Sequence, residues 1–181
     1  MAINDEKKLL VVNDFVNENV CYYKHSAFKN HKKDKTIFIE TGTNIGGGIA
    51  NALALDFKNI YTIEIIKDNY EIAKEKWKHV PHVKTYLGDT AQWIGRILEE
   101  INEPAFFWLD AHFNTSEATY KELEFIKNHK IKTHTILIDD MSLYFDKQHI
   151  EKTIREINPN YVISYEPTWR SKQEILAAYI P

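Results

Sequence analysis

Short apolar runs, each closing on a polar or acidic residue and each followed by a stretch of helical periodicity, recur along this chain from residue 36 onward. Thr36-Ile37-Phe38-Ile39-Glu40 is the first such run, and it leads into a glycine-containing turn. Residues 60–65, 83–87, 105–109 and 135–138 repeat the strand signal, and residues 49–56, 68–78, 91–101, 118–128 and 148–157 read as helices around them. Strands regularly separated by helices imply right-handed crossovers and a parallel sheet covered on both faces. Residues 161–165 and 175–180 read as two last strands joined by a loop without a helix, an arrangement that permits antiparallel pairing. The expected fold class is therefore α/β, a three-layer sandwich whose seven-stranded, mostly parallel sheet carries one antiparallel strand near the C-terminus.

Ahead of this pattern, residues 9–20 place Leu9, Val12, Phe15, Val16 and Val20 on one helical face, as a cap or packing helix would. Lys29-Asn30-His31-Lys32-Lys33-Asp34-Lys35 reads as a solvated linker. The expected organisation is a helical cap and linker over residues 1–35 and the α/β domain over 36–181, together one compact body, since 181 residues leave little room for two full domains. A formal charge of −3 gives no general attraction to polyanions, so no broad nucleic-acid surface is expected. The single cysteine, Cys21, cannot form an internal disulfide, and no Cys/His spacing suggests zinc; a reducing, cytoplasmic location is the expectation. Neither a secretory leader nor an apolar run of about 20 residues is present, so no membrane partner is expected.

The first turn, Glu40-Thr41-Gly42-Thr43-Asn44-Ile45-Gly46-Gly47-Gly48, combines chain reversal with a following helix N-terminus, a place where a ligand can approach the backbone and meet free amides. As a dinucleotide fingerprint it is poor: Asn44 stands where the middle glycine belongs, and the acid Glu40 repels a diphosphate. Glu40 can instead help orient a cationic ligand end. Glu64, closing the second strand about twenty residues after the loop, can accept both hydroxyls of a ribose. Gly88-Asp89-Thr90 follows the third strand; Asp89 can accept from an adenine amino group and Thr90 can cap the next helix, or either residue is only an N-cap.

A second group of acids closes the next two strands, Asp110 after Leu109 and Asp139-Asp140 after Ile138. Clustered carboxylates repel unless a cation or protons intervene, and a hard divalent ion such as Mg2+ takes oxygen ligands of this kind. The alternative is that Asp110 and Asp139 bind protein amides while Asp140 faces water. His112 is near enough to take a proton from an acceptor, or is a surface-loop histidine. Tyr22, Tyr23, Trp93, Trp108, Tyr144 and Trp169 read as packing residues, with Tyr144 and Trp169 also able to line an acceptor pocket.

Over residues 36–180 the order of elements resembles the Rossmann-like class I S-adenosylmethionine-dependent methyltransferases, and most of all the metal-dependent small-molecule O-methyltransferases of the catechol and macrolide-sugar type. Glu40-Xaa-Gly42-Xaa-Xaa-Xaa-Gly46 matches the cofactor loop, Tyr61-Thr62-Ile63-Glu64-Ile65 the ribose-binding strand end, and Gly88-Asp89-Thr90 the adenine segment. The resemblance implies S-adenosylmethionine held by Glu40, Gly42, Thr43, Asn44, Gly46, Glu64, Asp89 and Thr90. It further implies Mg2+ on Asp110, Asp139 and Asp140, with Asp110 and His112 in catalysis. The implied reaction is methyl transfer to an oxygen of a small hydroxylated molecule, a sugar or polyol, as partner; self-association into a homo-oligomer is compatible with it. Catechol-type members carry a lysine three residues after the first metal aspartate, where this chain has Phe113, which leaves His112 as the nearest base. Two other readings stay open: an NAD(P)-dependent oxidoreductase, and a non-catalytic adenosine-ligand-binding protein.

Overall fold

β1 (Ile37–Thr41) is buried along its whole length, and its apolar run lacks alternation because both faces of a central parallel strand are covered. In the computed structural model, which describes residues 22–112 and 115–181, the strands lie in the order β3-β2-β1-β4-β5-β7-β6. The other strands are β2 (Asn59–Glu64), β3 (Val83–Leu87), β4 (Ala105–Leu109), β5 (Thr135–Ile138), β6 (Val162–Glu166) and β7 (Ile175–Tyr179). β7 runs antiparallel to both its neighbours, β5 and β6, and is the one reversed strand; the other described pairings are parallel. This is the Rossmann-like architecture that the alternating pattern implies.

The helices are α1 (Tyr22–Lys32), α2 (Gly47–Ala54), α3 (Lys67–Trp77), α4 (Thr90–Glu100), α5 (Glu117–Asn128), the single turn α6 (Met141–Tyr144) and α7 (Lys147–Ile157). Successive strand side chains point to opposite faces, so the sheet divides the core in two. Ile39, Ile63, Phe107, Leu109, Ile136 and Ile138 face α4, α5 and α7, which contribute Ile94, Leu123, Ile126, Ile150 and Ile154. Phe38, Ile60, Phe106, Trp108 and Leu137 face α1, α2 and α3, which contribute Phe28, Ile49, Ala50 and Trp77. α7 carries its isoleucines at positions 150, 154 and 157, one face of a 3.6-residue period, and starts where Asp146 accepts a hydrogen bond from the His149 amide at 2.7 Å.

The N-terminal segment departs from the reading as a linker. Lys29 to Lys32 form the last turn of α1, where cations face the negative end of the helix dipole. Ala27 and Phe28 anchor the helix, with Phe28 packed edge-on against Phe106 and Trp108 at centroid distances of 5.3 and 4.9 Å. His31 is buried and pairs with Glu166 of β6 at 2.7 Å. The helix expected over residues 9–20 lies outside the described residues. Among the described residues no helix is long and apolar enough to cross a membrane.

Candidate active site

The carboxyl ends of β1, β2 and β4 are drawn together by the backbone itself. The amides of Gly42 and Thr43 both donate to the Ile63 carbonyl, at 3.0 and 3.2 Å, and the Asp110 amide donates to the Thr41 carbonyl at 3.1 Å. Gly42 sits at φ 80°, and a Cβ there would stand 2.4 Å from the Asp110 carbonyl oxygen. Only glycine lets the β1 turn lie this close to the end of β4. Gly48 answers the same need one helical turn on, since its Cβ would fall 1.7 Å from Glu40 Oε1. Both glycines thus have a close intramolecular neighbour, and Gly42 also borders the cavity.

Outside this zipped edge lies a cavity of about 480 Å3, a size suited to a small-molecule ligand or cofactor. It opens where the chain leaves β1 on one side for β2 and on the other for β4, the switch point at which open α/β sheets bind ligands. Gly42, Asn44, Glu64, Asp89 and Thr90 of the expected cofactor residues line it. Glu64 accepts from the Asn44 amide at 2.7 Å through Oε2 and from the Ile66 amide at 2.8 Å through Oε1. Each carboxylate oxygen retains a second acceptor site, so this fixed carboxylate can still take a pair of hydroxyls. Beside it Ile65 and Ile66 are 64% and 44% exposed on the cavity wall, an apolar surface suited to a flat heterocycle. A nucleoside therefore fits the residues present.

Three expected cofactor residues, Glu40, Thr43 and Gly46, lie behind the wall. Glu40 is 1% exposed; Thr62 Oγ1 donates to its Oε2 at 2.7 Å, and Thr62 in turn meets the Thr43 hydroxyl. Burial pushes Glu40 up to about 8, against the opposing pull of Lys24 and of the Thr62 hydrogen bond. Its carboxyl lies against Gly48 at the start of α2. Asp89, not Thr90, is the N-cap of α4, accepting from the Ala91 amide at 2.8 Å. Thr90 is the buried first residue of that helix and hydrogen-bonds Glu122.

At the ends of β4 and β5 the acids are already partnered. Lys24, reaching in from α1, places Nζ 2.5 Å from Asp110 Oδ2 and 4.9 Å from the ring centre of Trp108. Burial works against the Lys24 charge, but Asp110, Asp139 and Tyr23 outweigh it and hold the ammonium protonated well above the usual lysine range. Arg170, from the β6–β7 loop, binds Asp140 Oδ1 and, at 2.8 Å, Glu174 Oε1. Asp139 is 4% exposed and accepts from the Asp140 amide at 2.9 Å. Burial first, and then the Asp110 charge, push it up to about 7 despite Lys24.

The expected ion site of Asp110, Asp139 and Asp140 is thus not assembled as such. Among the described residues the acids and histidines whose ligand atoms come within 4.8 Å of one another are Asp110, His112 and Asp140. Mg2+ demands a near-octahedral shell of oxygens and takes up an imidazole poorly. With a nitrogen in the set, and an ammonium and a guanidinium on the two carboxylates, the residues do not fit that ion.

His112 has a distinct environment. Its side chain is 1% exposed and lies against the rings of Tyr144 and Phe145, at 5.4 and 5.3 Å. Nδ1 contacts Thr119 Oγ1 at 3.2 Å, while Nε2 has no hydrogen-bond partner among the described residues and faces Asp110 Oδ1 at 3.8 Å. Burial lowers its pKa, more than Asp110 and Asp140 raise it, so the imidazole is neutral near pH 7. Tyr144 packs here as the sequence allows. Trp169 does not: it is 84% exposed and stacks only with the Arg170 side chain.

Lys24, Arg170 and Glu122 are absent from the sequence-derived set. Glu122 of α5 is fully buried under the cavity floor, where it takes a hydrogen bond from Thr41 Oγ1 at 3.2 Å. Burial pushes it up to about 7, against its bonds from Thr90 and Thr41. A sequence signal for Lys24 does exist. Lys24, Ala27, Phe28 and His31 follow the i, i+3, i+4, i+7 spacing of a single helix face.

No protein-family model matches the chain, and no curated protein sequence matches it. Solved structures do. An O-methyltransferase from Bacillus cereus in complex with SAH is similar at a TM-score of 0.63 and 14% identity, over 100% of this chain and 93% of that one. SAM-bound CalS10, an amino pentose methyltransferase from Micromonospora echinaspora involved in calicheamicin biosynthesis, is similar at 0.61 and 8% identity, over 100% and 98%. A SAH-bound methyltransferase from Podospora anserina is similar at 0.61 and 12% identity, over 100% and 90%. At these identities the likeness is one of fold, and with its seven-stranded sheet and reversed β7 this chain has the Rossmann-like fold of the S-adenosylmethionine-dependent methyltransferases.

Proposed function

We propose that this protein transfers a methyl group from S-adenosylmethionine to a hydroxyl of a small molecule of the sugar or polyol class. The observation that carries this reading is the switch-point cavity with Glu64 fixed on its wall beside the exposed Ile65 and Ile66. Glu64 would accept the ribose hydroxyls, the isoleucines would cover the adenine, and Asp89, which lines the same cavity, would accept from the adenine amine. A reversed β7 and an acid-bearing loop with Asn44 in its middle speak against a nicotinamide dinucleotide.

The bound cofactor supplies an electrophilic methyl on a sulfonium. The protein's part is to hold the acceptor in line and remove its proton. His112 is the base: with Nδ1–H donated to Thr119 Oγ1, the lone pair lies on Nε2, which has no hydrogen-bond partner among the described residues. Asp110 Oδ1, 3.8 Å from that nitrogen, is close enough for one hydroxyl oxygen to contact both groups. His112 Nε2 would take the hydroxyl proton of the acceptor as the sulfonium supplied its methyl, and Asp110 would stabilise the resulting imidazolium. The rings of Tyr144 and Phe145 exclude water from His112.

Calorimetric titration of the full chain with S-adenosylhomocysteine tests the cofactor. Saturable one-to-one binding is expected, with NADH giving no heat; NADH binding without a response to S-adenosylhomocysteine would overturn the reading. Turnover on a panel of hydroxylated acceptors then separates an enzyme from an adenosine-ligand sensor.

A further inference from the structure

Resemblance to metal-dependent O-methyltransferases asks for a divalent ion at the ends of β4 and β5, and the side chains there answer differently. Every carboxyl expected to ligate it has an internal partner: Lys24 on Asp110 at 2.5 Å, Arg170 on Asp140, and the Asp140 amide on Asp139 at 2.9 Å. The Lys24 pair is not an incidental surface contact. Lys24 and Asp110 are 16% and 19% exposed, the ammonium rests over the face of the buried Trp108, and α1 is anchored by Phe28 one turn further on. Arg170 bridges Asp140 to Glu174, which is 1% exposed and also takes the Ser142 hydroxyl at 2.6 Å.

We propose that the Lys24 ammonium, delivered by α1, is the resident cation of this site and takes the place that a divalent ion holds in metal-dependent relatives. A tethered ammonium neutralises the carboxyls that the sheet edge brings together and leaves Asp110 Oδ1 facing His112. A divalent ion entering here would have to displace the ammonium from Asp110 and the guanidinium from Asp140, and would meet the repulsion of both cations. The site works on two built-in cations and is closed to metal. The inference rests on the methyltransferase reading only for calling this the acceptor side; metal binding itself is measured without cofactor or turnover.

The test is titration of the full chain with Mn2+, followed by electron paramagnetic resonance of the free ion, for the parent, Lys24→Met and Lys24→Arg. The parent and Lys24→Arg are expected to leave Mn2+ free. Lys24→Met, which keeps the length of the side chain over Trp108 and removes its charge, is expected to tighten Mn2+ binding by at least about tenfold. Parent protein that binds one Mn2+ and loses it on Asp110→Asn overturns the proposal, and needs no Lys24 variant to do so. A folded Lys24→Met, judged by circular dichroism, that binds no more Mn2+ than the parent also overturns it. Binding of S-adenosylhomocysteine, titrated separately, is unaffected by chelator under this proposal; its failure would count against the cofactor reading and not against the resident cation.

Discussion

Replacing Gly42 by alanine asks whether the glycine loop is shaped by the protein or by a ligand. The new Cβ would stand 2.4 Å from the carbonyl oxygen of Asp110 and 2.8 Å from its carbon, both backbone atoms that no rotamer change can move aside. At φ 80° the residue also takes up left-handed strain, worth about 1–2 kcal/mol for an L side chain. Overpacking against the backbone adds about 1–3 kcal/mol. Together these amount to about 2–5 kcal/mol, which for a chain of this size lowers Tm by roughly 4–20 °C. Gly47, five residues on, is an internal control, because a Cβ there meets nothing within 4 Å; Gly47→Ala should melt with the parent or slightly above it. Differential scanning calorimetry of the three ligand-free proteins reads the contrast. If Gly42→Ala and Gly47→Ala melt together, the close approach of the β1 turn to β4 is not what demands glycine, and the account of the loop given above fails.

Three further perturbations probe the cavity and its floor. Glu64→Ala should weaken S-adenosylhomocysteine by about 1.5–3 kcal/mol, the scale of hydrogen bonds to a charged group, and unchanged affinity in calorimetry would remove Glu64 from the site. His112→Asn should lower kcat by about 10²–10⁴ as a lost general base does, while the Kd for S-adenosylhomocysteine holds; a variant as fast as the parent would clear His112 of that role. For Glu122 the sign follows from burial: its carboxyl titrates near 7 in the folded chain against 4.5 in the open one, so the folded state holds the proton more tightly. Its contribution to stability is present in full below pH 4.5 and is lost as pH rises from there to about 7. Glu122→Gln should therefore flatten that decline and raise Tm at pH 8, and an equally steep decline in the variant would refute the assignment.

How far the sequence was legible follows the range of the interaction concerned. β3, β4 and β5 occupy the residues expected of them, and α2 to α5 and α7 shift by no more than a residue or two, because apolar period and turn chemistry are local. The reversed β7 was legible from a missing helix between two strands. Glu64 and Asp110 were legible as residues of the cavity edge because a carboxyl at the exit of a parallel strand has few other places to go. Glu40 was not, since its exclusion from the cavity depends on Gly48 closing over it and on Thr62 from the next strand. Lys24 was least legible of all. Its partner lies 86 residues away, and the helix that carries it hides a thin apolar face, Ala27 and Phe28, inside a run of cations.

The same contrast bears on how such a site is built. A strand end fixes where a carboxyl stands, but not what neutralises it: protons, a metal, or a cation brought by another part of the chain all satisfy the same electrostatic demand. Here the demand is divided. Asp139, the most enclosed of the three acids, is pushed toward its protonated form by burial and by Asp110, whereas Asp110 and Asp140 each take a cation from outside the parallel sheet core. Those cations come from the two segments, α1 and the β6–β7 loop, that lie before and after the alternating strands and helices. The acids therefore stand at the ends of the parallel strands, and the groups that neutralise Asp110 and Asp140 come from the segments flanking them.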